Sequence, residues 1–180
     1  VNPDPDSHPS PQARPSPEAA PFRVLPHTGG CFVCGLRNPE GLKLDLLSDG
    51  RVVETSLRFR PEHAGFSGVV HGGLITTVLD EMMAWAIGVN TRSFAFAAEL
   101  NVRFLRAVAP GTPLTARAEL VENRRGRLFL TRAELLNPEG EIAAEATGKF
   151  LPIPAERNPA LFADFVEDPS AWVGPRPNAG

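Results

Sequence analysis

The chain has 180 residues, 42% of them hydrophobic, and a net charge of -3, enough for one domain with a proper core and rarely for two. That charge leaves no sequence-wide footprint for nucleic acid, and no apolar run approaches the roughly 20 residues that span a bilayer. The N-terminal stretch lacks the apolar segment of an export signal, and the two cysteines share one Cys31-x-x-Cys34, so a reduced, cytoplasmic protein is expected.

Proline fixes φ and removes a backbone donor, so its distribution divides the chain. Eight of the 19 prolines fall in residues 1–26 and six in 152–180, leaving five between. The expected organisation is a proline-rich flexible arm over 1–26, a folded domain over 27–153 and a tail over 154–180. Residues 41–60 read as two strands around Ser48-Asp49-Gly50-Arg51, with Leu42, Leu44 and Leu46 alternating on the first and Val53, Thr55, Leu57 and Phe59 on the second. Gly65, Gly68, Gly72 and Gly73 then lead into a helix over about 72–88. Period two returns over 93–106, where Phe94, Phe96, Ala98, Leu100, Val102 and Phe104 share a face. It continues from Leu114 to Leu120, over 127–136 and over 141–151, with turns at Pro110-Gly111, Glu122–Gly126 and Asn137–Gly140. The pattern is α+β, with one long helix to cover a curved antiparallel sheet of about six strands.

On a helical wheel Leu74, Ile75, Val78, Leu79, Met82, Trp85, Ala86 and Val89 fill an arc of about 140°. Asp80 points away from it, among the small residues Gly73, Thr76, Thr77 and Ala84, where another backbone or a ligand can come close. His71-Gly72-Gly73 stands where the helix begins, so unpaired N–H groups face outward and can stabilise an oxyanion. Gly73 and Asp80 lie seven residues apart, about 10 Å along a helix, whereas reacting atoms must approach to about 3–3.5 Å. If both groups serve one substrate they come from two chains, and the geometry asks for a dimer with two equivalent sites.

His71-Gly72-Gly73 with Leu79-Asp80-Glu81, the acid nine residues after the histidine, resembles the hotdog-fold acyl-CoA thioesterases of the PaaI-like branch. Leu100–Leu105 before Pro110-Gly111, Gly126-Arg127, Gly148-Lys149-Phe150, and Cys31–Gly35 with Asn38–Leu42 extend the resemblance over about 31–151. It implies a hotdog fold, homodimers or homotetramers, and hydrolysis of an acyl-CoA without a cofactor. It also implies that Asp80 is general base or nucleophile, with the HGG-end amide of the partner subunit, assigned to Gly73, as oxyanion donor. His71 and Gly72 complete the catalytic set.

Substrate contacts are expected from Phe66, Gly65, Thr77, Glu81, Arg103 and Arg127. Glu81 ranks second as a base and first as a structural carboxylate. Arg124, Arg125, Arg127, Arg103 and Arg106 are candidates for the coenzyme A phosphates, with Arg127 preferred, against the reading of an ordinary charged hairpin. Two departures stand out: Gly65, six residues before the histidine, replaces the asparagine or glutamine of many members. Ala97, three residues before Leu100, replaces a threonine or serine. They motivate the alternative of a non-catalytic acyl-CoA or lipid-binding hotdog module. Cys31 and Cys34 lack the second ligand pair of structural zinc, even with His27 and His63 in the sequence, so no metal is expected and the pair reads as packing residues.

Overall fold

The period-two stretches become strands because each has one face to bury: in Phe129–Leu136, Phe129, Thr131, Ala133 and Leu135 are buried while Arg132 is exposed. The structure is a computed structural model and describes residues 21–154 and 157–174; the arm over 1–20, residues 155–156 and residues 175–180 lie outside the described residues. In chain order the strands are β1 (Arg23–Val24), β2 (Leu47–Ser48), β3 (Val52–Leu57), β4 (Ala64–Phe66), β5 (Val69–Val70), β6 (Ala95–Phe104), β7 (Leu114–Asn123), β8 (Phe129–Leu136) and β9 (Ile142–Pro152). Helix α1 (Gly72–Thr91) lies between β5 and β6, and a short α2 (Asn158–Phe162) follows β9. Among the described residues, seven strands form one antiparallel sheet in the order β1-β2-β3-β7-β8-β9-β6, and β4 pairs with β5 separately.

The sheet wraps α1. Ile75, Val78, Leu79, Met82, Trp85 and Ala86 are buried as the helical period requires, with Ile75, Val78, Leu79 and Met82 each contributing about 1.5–3 kcal/mol over exposure. Leu74 and Val89, at the ends of the expected arc, are only half-buried. Met83 and Ile87 are buried as well, because α1 is covered by more than the sheet: a Cβ on Gly88 would meet Val173 at 3.0 Å. By length and composition α1 reaches the level of a bilayer span, with mean hydropathy 1.2, which corrects the expectation that no run comes near one. Half of that stretch is buried inside the domain, as in a core helix.

Three further expectations change. Leu42–Leu46 is not a strand: Lys43 adopts φ 54°, and the amides of Leu42 and Leu44 bond to the carbonyls of Phe32 and Val33. In β6 a bulge between Ala97 and Glu99 absorbs one residue and exchanges the two faces. Ala95 is therefore buried before it and Leu100 and Val102 half-buried after it, while Phe96 is about half exposed. Phe104, on the same side as Leu100 and Val102, ends the strand against Gly72 and is also about half exposed. The folded unit also exceeds 27–153 at both ends. Residues 23 and 24 add β1 to the sheet, Leu25 is buried, and Trp172 and Val173 join the core.

The C-terminal segment is held by the end of α1. Arg92 caps the helix at φ 62° and donates from Nε to the Gly174 carbonyl (2.9 Å), from Nη1 to Ala171 (3.2 Å) and from Nη2 to Ser170 (2.5 Å). Trp85, Phe94, Phe162 and Phe165 form an aromatic cluster beneath it.

Candidate active site

Helix α1 begins at Gly72 because His71, in extended conformation at φ -64° and ψ 125°, caps it. The His71 Nδ1 accepts the Gly73 N–H at 2.9 Å, and the His71 carbonyl accepts the Leu74 N–H at 3.0 Å. The amide assigned as oxyanion donor is thus already bonded within its own chain. Gly72 N–H has no acceptor among the described residues, which makes it the open donor of this helix end. Sequence spacing carries no information on which of the two amides the capping side chain takes.

The remaining nominated residues divide between two regions. Gly65, in β4, packs against the cap: a Cβ there would stand 3.1–3.3 Å from His71. Phe66, Val69, Gly72, Ile75, Phe104 and Arg106 share a surface groove of about 300 Å³ with their neighbours. Phe66 is 84% exposed at its rim, and the Phe104 ring lies beside Gly72, where a Cβ would meet it at 3.1 Å. The groove therefore combines aromatic walls with the open amide. Thr77 lies one turn beyond, its hydroxyl donating to the Gly73 carbonyl at 2.8 Å.

Asp80 is half-buried, and its Oδ1 is buried with no hydrogen-bond partner among the described residues. Burial alone pushes its carboxyl above the usual carboxylate range. A buried polar atom without a partner costs about 1–3 kcal/mol, and such exceptions concentrate at working sites. Asp80 does not line the groove at Gly72, from which it is separated by eight residues, about 12 Å of helix.

Glu81 turns the other way. Its Oε1 accepts from the Cys34 thiol at 3.4 Å, and the carboxyl is pushed up to about 8, first by burial and then by Cys31. It faces the cysteines and is not among the residues that line the groove. The Cys34 side chain, followed by nearby amides, holds the Cys31 thiol well below its usual range, while Cys34 is pushed up by Cys31 and by burial.

Of the arginines, Arg103 is paired with Glu145 at 2.5 Å and Arg106 with Glu141 at 3.0 Å. Arg124 is paired with Glu122 at 3.0 Å. The side chain of Arg127 has no partner among the described residues. It lies in the β7–β8 turn, at the end of the sheet where Ala97, Phe150 and Phe129 are in register, while Gly72 adjoins Phe104. Seven residues of β6 separate those ends, about 23 Å at strand rise, so one chain does not bring Arg127 to its own Gly72.

Residues 67–144 match the thioesterase superfamily. No curated protein matches the sequence. Among solved structures, the chain is similar to a thioesterase superfamily protein at 25% identity and TM-score 0.62, over 67% of this chain and 59% of that one. It is similar to the E. coli PaaI protein from the phenylacetic acid degradation operon at 22% identity and TM-score 0.57, over 63% and 81%. A Streptococcus mutans protein bound to acetyl-CoA aligns at 19% identity and TM-score 0.57, over 61% and 88%. These likenesses carry the sheet wrapped on one helix.

Proposed function

We propose that this chain, of the hotdog fold and PaaI-like within the thioesterase superfamily, is an acyl-CoA thioesterase with Asp80 as general base or nucleophile. The observation that carries the reading is a pair of unsatisfied groups on one helix, the open N–H of Gly72 and the buried, unpartnered Oδ1 of Asp80. A thioester carbonyl accepts from Gly72 N–H, with Gly73 joining only if His71 releases it. The acyl or pantetheine arm lies against Phe66 and Phe104. Asp80 draws the proton from a water, or attacks the carbonyl itself, and the tetrahedral intermediate collapses to release coenzyme A as thiolate.

Because about 12 Å of helix separates the two groups, Asp80 comes from a partner subunit, in a homodimer or a pair of dimers. Strand β6 supports that assembly: it is an edge of the sheet, ten residues long, with Phe96 and Phe104 half exposed along it. The same reading gives the unpartnered Arg127 of one subunit to coenzyme A phosphates at the other's site, and assigns the protein to the reducing cytoplasm, with Cys31 and Cys34 outside any disulfide. The experiment is a panel of aromatic and aliphatic acyl-CoAs with a thiol-trapping reagent. Thiol release that falls at least about a hundredfold in Asp80→Asn, with acyl-CoA binding retained, is the expected result. Binding without Asp80-dependent release would instead favour a non-catalytic acyl-CoA-binding module, the reading suggested by Gly65 and Ala97.

A further inference from the structure

The Cys31-x-x-Cys34 loop and the middle of α1 meet in a cluster that the hydrolytic site does not use. One ligand-capable atom each from Cys31, Cys34 and Glu81 lie within 4.8 Å of one another, from segments 47 residues apart. A tetrahedral centre with metal–sulfur bonds of about 2.3 Å and a metal–oxygen bond of about 2.1 Å has edges of roughly 3.6–3.8 Å. The Cys34 Sγ to Glu81 Oε1 edge is 3.4 Å, so closing on a cation needs shifts of a few tenths of an ångström along that edge.

The loop is also shaped to present sulfur. The Val33 amide donates to Cys31 Sγ at 3.3 Å, and the Gly35 amide closes the turn on the Cys31 carbonyl at 3.0 Å. Gly35 is required there: a Cβ would stand 2.2 Å from that carbonyl oxygen and 2.6 Å from the Cys31 nitrogen. An N–H donor aimed at a sulfur is the outer support that metal thiolates receive. Cys34 is buried, Cys31 and Glu81 are half-buried, and among the described residues no lysine, arginine or histidine bonds to any of the three. Three groups able to carry negative charge are therefore gathered without a cation from the protein.

We propose that Cys31, Cys34 and Glu81 bind one thiophilic divalent cation of the zinc class. Two sulfurs and one carboxylate select zinc over magnesium or calcium, which take oxygen donors. Three protein ligands leave the fourth position to water or a small anion. The cation clasps the loop ahead of the sheet to α1 one residue beyond Asp80 and so holds the register of that helix. The third ligand comes from the helix and not from a second cysteine pair, which is why the spacing of the cysteines alone pointed to none.

The test uses the full chain, purified with its thiols reduced and anaerobic, then stripped of metal and titrated with cobalt(II). One equivalent per chain is expected, with a thiolate-to-cobalt charge-transfer band and the ligand-field bands of a tetrahedral site, displaced by zinc. Cys34→Ser abolishes the charge-transfer band at one equivalent. Glu81→Gln keeps it, shifts the ligand-field bands and weakens binding at least about tenfold. Failure of the reduced wild-type chain to bind cobalt, including the case in which the two thiols pair as a disulfide on mild oxidation but take no metal, overturns the proposal. Unchanged affinity and spectrum in Glu81→Gln, with circular dichroism confirming the fold, overturns it equally. None of these readouts depends on hydrolysis.

Discussion

His71 Nδ1 accepts the Gly73 amide at 2.9 Å, so of the two glycines it is the one next to the histidine that keeps a free N–H. The histidine is thereby a cap, and its contribution to turnover is indirect. His71→Ala is expected to lower stability by about 0.5–2 kcal/mol in thermal or urea unfolding, with His71→Asn recovering most of it. Its kcat should fall by less than about tenfold, far less than in Asp80→Asn, because Gly72 N–H is untouched. A loss as deep as that of Asp80→Asn would give the imidazole a direct part in the reaction.

Gly72 can be tested without disturbing the helix. It occupies the first helical position, where proline is tolerated, and His71 already has the extended conformation that precedes a proline. Gly72→Pro should cut kcat about 10²–10³-fold by deleting one donor, while Gly72→Ala, which adds a Cβ against Phe104 but keeps the N–H, loses much less. Mixing unfolded Gly72→Pro and Asp80→Asn chains and refolding them together should restore about a quarter of wild-type activity, since half the dimers hold one intact site. No restoration would mean that each site is built within one chain.

Asp80 sets function against stability. Its Oδ1 is buried without a partner, so Asp80→Ala should raise the free energy of unfolding by about 1–3 kcal/mol while removing turnover. Equilibrium denaturation in urea reads this directly, and a destabilised variant would show that the carboxylate has a structural partner.

His63 makes the fold sensitive to mild acid. It is buried, its Nδ1 accepts the Arg60 amide at 3.1 Å, and burial followed by the Arg60 charge holds its pKa below the ordinary value of 6.5. The unfolded chain then binds the proton more tightly than the folded one, so this contribution is present above about 6.5 and is lost as pH falls through and below it. The unfolding midpoint should drop between pH about 7 and about 5, and His63→Gln should flatten that slope.

Arg92→Gly separates the backbone of the helix end from its side chain. Glycine accepts φ 62° without strain, so the variant keeps the backbone of the helix end and loses the side-chain bonds to the C-terminal segment, those to the Ser170, Ala171, Val173 and Gly174 carbonyls among them. A cost of about 1.5–3 kcal/mol is expected, with faster proteolysis beyond Pro154 and a changed tryptophan emission as Trp172 loosens.

What the sequence made legible follows the reach of its periodic signals. The 3.6 period placed Ile75, Val78, Leu79, Met82 and Trp85 in the core, and period two located β7, β8 and β9, because burial on one face enforces both patterns. The same rule misread Leu42, Leu44 and Leu46, where one left-handed residue, Lys43, breaks the extension and sends the amides to the cysteine loop. It also misassigned Phe96, because a bulge leaves no mark on alternation. The packing of Trp172 and Val173 was hidden by prolines that exclude regular strands without excluding burial. At the site, the histidine-to-acid spacing was readable, whereas the cap on Gly73 and the turn of Glu81 toward Cys34 are three-dimensional choices among neighbouring groups.

Helix α1 carries an open amide at Gly72, a carboxylate without a partner at Asp80 and a carboxyl against a thiol at Glu81. The number of residues between them is therefore a working dimension of the protein, as much as any side chain. One residue inserted between 73 and 79 would advance everything beyond it by about 1.5 Å and turn it by about 100°. Asp80 would leave its present face and Glu81 would lose Cys34 in the same motion. Substitutions along this stretch can be absorbed one by one; a change in its length cannot, and the first half of the helix acts as a gauge.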